Sequence, residues 1–160
     1  MADWHESKDT LINAAPEEVF AVVGDFLKHR ELAGSGELVE VRMVTDGPTA
    51  LGSVIEADEA VDVGDQHAEY TARAMVVTYD PPTTLSWVNA PPFPVRRVQW
   101  WFHLSPEGPG TRVVNEVEVD LGEGGRSMFG GVEGFEAIRA PDISKGMATT
   151  LENLRRAVEG

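Results

Sequence analysis

Five polar side chains fall, by strand alternation, among apolar residues: Glu59, Tyr70, Asn89, Arg96 and Asn115. Successive strand residues point to opposite faces, so parity sorts each segment into an inner and an outer set. Around Trp100 one face carries Arg96, Val98, Trp100, Phe102 and Leu104, and the other carries Arg97, Gln99, Trp101 and His103. The same test groups Thr111, Val113, Asn115, Val117 and Val119; Tyr70, Ala72, Ala74 and Val76; Leu85, Trp87 and Asn89; and Ile55, Ala57, Glu59 and Val61. A buried polar group without a partner costs about 1–3 kcal/mol, so several on one inward face imply mutual hydrogen bonds, water or a bound molecule. Tyr70 is placed to move a proton, or to keep its ring in the core with the hydroxyl at a rim. Arg96 follows the proline loop 91–94 and either attracts a carboxylate or enolate at a cavity mouth or reaches solvent. Asn115 contacts a ligand, cavity water or backbone. Tyr70 and Arg96 are the candidate catalytic residues, and small Ala72 and Ala74 leave inward volume unfilled.

Other reactive patterns fail on spacing. His5, His29, His67 and His103 are scattered without a metal-ligand interval, His29 in a loop and His103 on an outer face. Ser127 lacks the strand-turn-helix setting of a nucleophile elbow. Gly122-Glu123-Gly124-Gly125 lacks the lysine of a phosphate loop, and its glutamate repels phosphate. No pattern calls for a metal or a cofactor.

These residues need a scaffold, and punctuation outlines one. Pro16 suits the first position of a helix, Glu17 and Glu18 favour its positive end, and Val19, Val22, Val23 and Phe26 form a helical stripe. That helix ends before Gly34-Ser35-Gly36, with a break near Leu27. Alternation and β-branched residues then run to about Val119, cut by turn signals at 46–48, 64–65, 80–82, 91–94 and 107–110. Six strands joined by turns, plus one before Ile12, make seven, antiparallel because hairpin-length links leave no room for crossovers. Gly122 to Gly134 is irregular and glycine-rich, either a mobile cover with Met128, Phe129 and Val132 packed over a cavity or a loop with incidental apolar anchors. Ile143, Met147, Leu151, Leu154 and Val158 mark a closing amphipathic helix of about 27 Å. Gly146 in that helix implies a close approach to the sheet, room for a ligand, or tolerance in a stable element.

Composition sets the class. A chain of 160 residues with 42% apolar content suits one domain, 1–160. The formal charge of −14 without a basic stripe argues against nucleic acid. No apolar run reaches the roughly 20 residues of a membrane span, and the N-terminus lacks a signal-peptide profile, so a soluble, cytoplasmic protein is expected. There is no cysteine, which excludes disulfides and thiolate chemistry.

The order of several fragments carries a resemblance. Ile12 to Phe20, Asp25-Phe26, Tyr79-Asp80-Pro81-Pro82 before Leu85-Ser86-Trp87, Trp100 to Leu104, Gly110 to Val113, and Gly146-Met147 with Leu151 to Leu154 span nearly the whole chain. In this order the sequence resembles the START/Bet v 1-like superfamily (SRPBCC), and within it the bacterial polyketide cyclase/dehydrase-like branch. The resemblance implies an α+β helix-grip fold: a seven-stranded curved antiparallel sheet wrapped around a long C-terminal helix, with short helices after the first strand. It also implies a cavity between sheet and helix. A small hydrophobic or aromatic molecule, such as a lipid, quinone or polyketide, would then lie among Phe20, Trp87, Trp100, Phe102, Phe129 and Met147, with Glu59, Tyr70, Asn89, Arg96 and Asn115 as polar contacts. Two alternatives stay open: an aromatase/cyclase-type enzyme, and a protein-partner module of the Hsp90-activator type using outer-face Trp101.

Overall fold

The protein is described by a computed structural model covering residues 2–90 and 94–160; most of the predicted proline loop, 91–93, lies outside the described residues. The strands are β1 (Trp4–Ile12), β2 (Leu38–Met43), β3 (Val54–Val63), β4 (Gln66–Asp80), β5 (Thr84–Ala90), β6 (Arg97–Glu107) and β7 (Gly110–Asp120). They form one antiparallel sheet in the order β1-β7-β6-β5-β4-β3-β2. The first two strands in sequence end up on opposite edges, because α1 (Pro16–Val23), a 3-10 turn (Phe26–Lys28) and α2 (His29–Leu32) carry the chain across. Pro16 opens α1, Glu17 and Glu18 occupy its first turn, and Val19, Phe20 and Val23 are buried. The break near Leu27 is real: Asp25 accepts from the Leu27 amide at 3.2 Å and caps the 3-10 turn.

Strand parity holds for β7, where Thr111, Val113, Asn115, Val117 and Val119 are all buried. It breaks in β4, where a bulge between Val76 and Thr78 turns Tyr79 onto the same face as its partner Leu85. Tyr79 there meets the edge of Phe20 at 5.5 Å. The closing helix α5 (Ala140–Glu159) crosses the sheet and buries Met147, Leu151 and Leu154.

The glycine-rich stretch is helical rather than irregular. It forms α3 (Gly122–Phe129) and α4 (Gly131–Ile138), joined at Gly130, whose φ of 78° is left-handed. Glycine's low helix propensity misleads here, because packing requires its missing side chain. A Cβ on Gly134 would stand 1.7 Å from the Phe129 carbonyl, and one on Gly124 would stand 2.6 Å from Pro94 Cβ.

Gly146 likewise marks a close approach, to the 33–37 loop instead of the sheet. A Cβ on Gly34 would lie 2.5 Å from the Gly146 carbonyl and from the Thr150 nitrogen. The Gly34 amide donates to Thr150 Oγ1 at 2.8 Å, and Asn153 Nδ2 donates to the Leu32 carbonyl at 3.0 Å. Gly34→Ala is therefore expected to cost about 1–3 kcal/mol by overpacking. It should also speed amide exchange in residues 33–37; unchanged exchange and stability would contradict this latch.

Candidate functional site

Between the concave face of the sheet and α3, α4 and α5 lies a cavity of about 700 Å³. One end is aromatic. Trp87 and Trp100 are cross-strand partners whose rings stack at 6.4 Å, and Phe102 stands beside Trp87 at 6.0 Å. Phe26 meets Trp87 edge-on at 5.0 Å and stacks on His29 at 4.2 Å.

His29, read from the sequence as lying in a loop, instead opens α2 and belongs to this wall. Its Nε2 lies 2.7 Å from the Val23 carbonyl, which can only accept, so Nε2 carries the proton and Nδ1 is a bare acceptor. Burial pushes its pKa down to about 4, opposed by that carbonyl and by Asp25, so the ring is neutral at neutral pH. The available signal was the three-residue spacing of Phe26, His29 and Leu32, all buried.

The other end is polar. Trp87 pairs with Val76 of β4, and Tyr70 lies six residues further along that strand, about 20 Å away. Glu59 is the cross-strand partner of both Tyr70 and Leu38. Glu37, just before β2, grips Arg139 between α4 and α5 with two hydrogen bonds, Nη1 to Oε2 at 2.6 Å and Nη2 to Oε1 at 2.7 Å. This fork-on-fork pair joins residues 102 apart in sequence and is largely enclosed, at 15% and 16% side-chain exposure. Burial opposes the Arg139 charge, yet the Glu37 bonds and charge raise its pKa all the same.

Glu59 sits differently. Burial first and the Glu37 charge second push its pKa up to about 7, against the pull of Arg139. Burial, reinforced by the Glu59 charge, raises the Tyr70 pKa, so its phenol stays protonated at neutral pH. Neither Glu37 nor Arg139 stood out in the sequence; both lie outside the strands where alternation can be tested.

The cavity walls include Glu59, Tyr70, Trp87, Asn89, Trp100, Phe102, Asn115, Phe129 and Met147. Asn115 spends its amide on the fold, Nδ2 donating to the Trp101 carbonyl at 3.1 Å. Phe20 and Arg96 are not among the lining residues. Phe20 packs instead against Tyr79, which the β4 bulge brings inward. Arg96 precedes the first residue of β6, so strand alternation does not govern it; it is exposed and reaches Asp120 at 3.5 Å. Of the apolar groups expected over the cavity, Met128 and Phe129 line it, while Val132 packs into the neighbouring core.

On the outer face Trp101 is half-buried and stacks on His103, which bonds Glu116 at 2.8 Å beside His5 at 2.6 Å. Among the described residues no group of three or more metal-ligand side chains is placed to hold an ion, and no helix is long and apolar enough to cross a membrane.

Solved structures share this architecture. The di-domain ARO/CYC BexL from the BE-7585A biosynthetic pathway matches with a TM-score of 0.76 at 17% identity, over 98% of this chain and 50% of that one, so the chain spans about half of BexL. The KanY protein matches with a TM-score of 0.68 at 23% identity over 100% of both chains. Major latex-like protein 151 from Panax ginseng matches with a TM-score of 0.70 at 8% identity over 98% of both. At these identities the likeness concerns the fold. No curated protein matches the chain. Family membership comes from the sequence profile described as polyketide cyclase/dehydrase and lipid transport, which matches residues 4–159; over that span the chain belongs to this family, within the SRPBCC superfamily of START and Bet v 1-like proteins.

Proposed function

We propose that the protein binds one small, largely apolar or aromatic molecule in the cavity between the sheet and α5. The observation that carries this reading is the cavity's size and lining. About 700 Å³ falls within the roughly 300–1,000 Å³ of small-molecule pockets, and aromatic walls with few polar groups suit an apolar ligand. Native mass spectrometry after incubation with fatty acids, quinones and aromatic polyketides should show one molecule per chain. Quenching of tryptophan emission should accompany it, because Trp87 and Trp100 line the cavity. Ala72 is buried and lines the same space, so Ala72→Phe should fill it and weaken binding by roughly tenfold. A protein that takes up none of the panel would overturn the proposal.

One observation favours a second reading, chemistry of the aromatase/cyclase type. Glu59 has a pKa near neutrality and lies cross-strand from the Tyr70 phenol, an arrangement suited to taking a proton from one atom while a neutral donor faces another. The same experiment separates the two. Organic extraction returns the molecule unchanged if the protein only binds it, and returns it with water lost if a cyclisation and dehydration have occurred. Arg96 has no place in this second reading, being an exposed partner of Asp120.

A further inference from the structure

The polar end of the cavity carries an unequal set of charges. Apart from Asp65 in the β3–β4 turn and Arg73, whose guanidinium bonds Glu56 at 3.0 Å, Glu37 and Glu59 supply two carboxylates, and Arg139 supplies one guanidinium whose two Nη groups are already bound to Glu37. Glu59 has neither a hydrogen-bond nor an ion-pair partner among the described residues. Its oxygens are also not sealed in: the fully enclosed, unpartnered side-chain oxygen found among the described residues belongs to Glu6. A carboxylate facing an apolar cavity without a donor gains most from a ligand that brings one, since hydrogen bonds to a charged acceptor are the stronger kind. A ligand carboxylate meets the reverse situation, with Glu59 unneutralised and the nearest cation taken.

Resting on the small-molecule reading above, we infer that the cavity selects ligands whose polar end is a hydrogen-bond donor, an alcohol, phenol or amine, seated on the Glu59 carboxylate, and discriminates against ligands ending in a carboxylate. The groups that face Glu59 are Tyr70 across the β3–β4 pair, Glu37 from the loop before β2, and Arg139 from the α4–α5 junction. His29 is neutral and lies in the aromatic wall. The apolar body of the ligand then extends along the sheet toward Trp87 and Trp100.

Three ligands of one shape test the inference: 9-anthracenemethanol, 9-methylanthracene and 9-anthracenecarboxylate, titrated by tryptophan quenching at about pH 8. The expected order is alcohol, methyl, carboxylate, with the alcohol roughly tenfold tighter than the methyl compound and the carboxylate weaker than it by roughly tenfold or more. Glu59→Gln should return most of the carboxylate's affinity relative to the methyl compound, and a far-UV circular dichroism spectrum that matches the wild type certifies the variant's fold. Lowering the pH to about 5.5 should narrow the gap in the wild type and not in Glu59→Gln. Equal binding of alcohol and carboxylate, or an unchanged ratio in the variant, overturns the inference alone. Failure of all three compounds to bind overturns both it and the small-molecule reading.

Discussion

Replacing Arg139 by leucine is expected to destabilise the protein by about 2–4 kcal/mol at neutral pH. The loss comes less from the attraction removed than from what stays behind. Glu37 would keep its enclosed position without a donor, and an uncompensated buried charge costs about 3–5 kcal/mol when fully enclosed. The small remaining exposure of the pair, 15% and 16%, places this case toward the lower part of that range. Glu59 adds to the effect, because Arg139 is the cation that holds its pKa down and Glu37 the anion that pushes it up. In the variant Glu59 should therefore titrate above 7.

A double-mutant cycle distinguishes this from lost packing. Glu37→Met with Arg139→Leu replaces the pair by apolar groups and should recover most of the stability, as buried pairs often tolerate. Urea denaturation of the four proteins measures the coupling. A loss below about 1 kcal/mol in Arg139→Leu would mean that the pair is solvated and worth no more than a surface ion pair, and no recovery in the double variant would mean that the loss comes from packing rather than from the stranded Glu37 charge.

How far the site was legible follows from where its residues sit. Trp87, Trp100, Phe102 and Asn115 lie inside regular strands, where one parity choice fixes every neighbour. Met147, Leu151 and Leu154 recur at helical spacing, and so mark the buried face of α5 without reference to the sheet. The Glu37–Arg139 pair had no such guide. One member lies in a loop and the other at a helix junction, and their meeting depends on α4 turning at Gly130.

Apolar residues on both faces of β4 concealed the bulge at Val76, since either register buries something hydrophobic there. Arg96 fails for the converse reason: alternation was extended one residue beyond β6, whose first register pair is Arg97 with Asp120, although the Arg96 amide still donates to the Leu121 carbonyl at 3.3 Å. The glycines of α3 and α4 were read by conformational preference, whereas their function is to let helix backbone approach Pro94 and Phe129. Local preference and periodicity thus recover what one element decides, and miss what two elements decide together.

Glu59 and His29 give the cavity two opposed responses to pH, and their sum hides both. The folded protein holds the Glu59 proton up to about 7, while the unfolded chain releases it near the ordinary value of 4.5, so stability falls as pH rises through that window. His29 has a folded value of about 4 against an ordinary 6.5, so the unfolded chain takes up its proton first and stability falls as pH drops from 6.5 toward 4. Each effect amounts to about 3 kcal/mol at full burial, and to about 2 kcal/mol for Glu59, which solvent partly reaches.

Between pH 4.5 and 6.5 the two slopes have opposite signs, and the wild type should show little net change from this pair. Single variants unmask them. Glu59→Gln is expected to match the wild type at about pH 4 and exceed it by about 2 kcal/mol at pH 8, because the cost of the buried charge disappears. His29→Gln should lie at a constant offset below the wild type above pH 6.5, and that offset should shrink by about 3 kcal/mol toward pH 4, where the wild type alone must protonate a buried ring. Chemical denaturation across this range reads both, and taking differences from the wild type cancels the surface carboxylates, which are common to all three proteins. If either difference is independent of pH, the group concerned titrates in the folded protein as it does in water, and the cavity wall around it is wet.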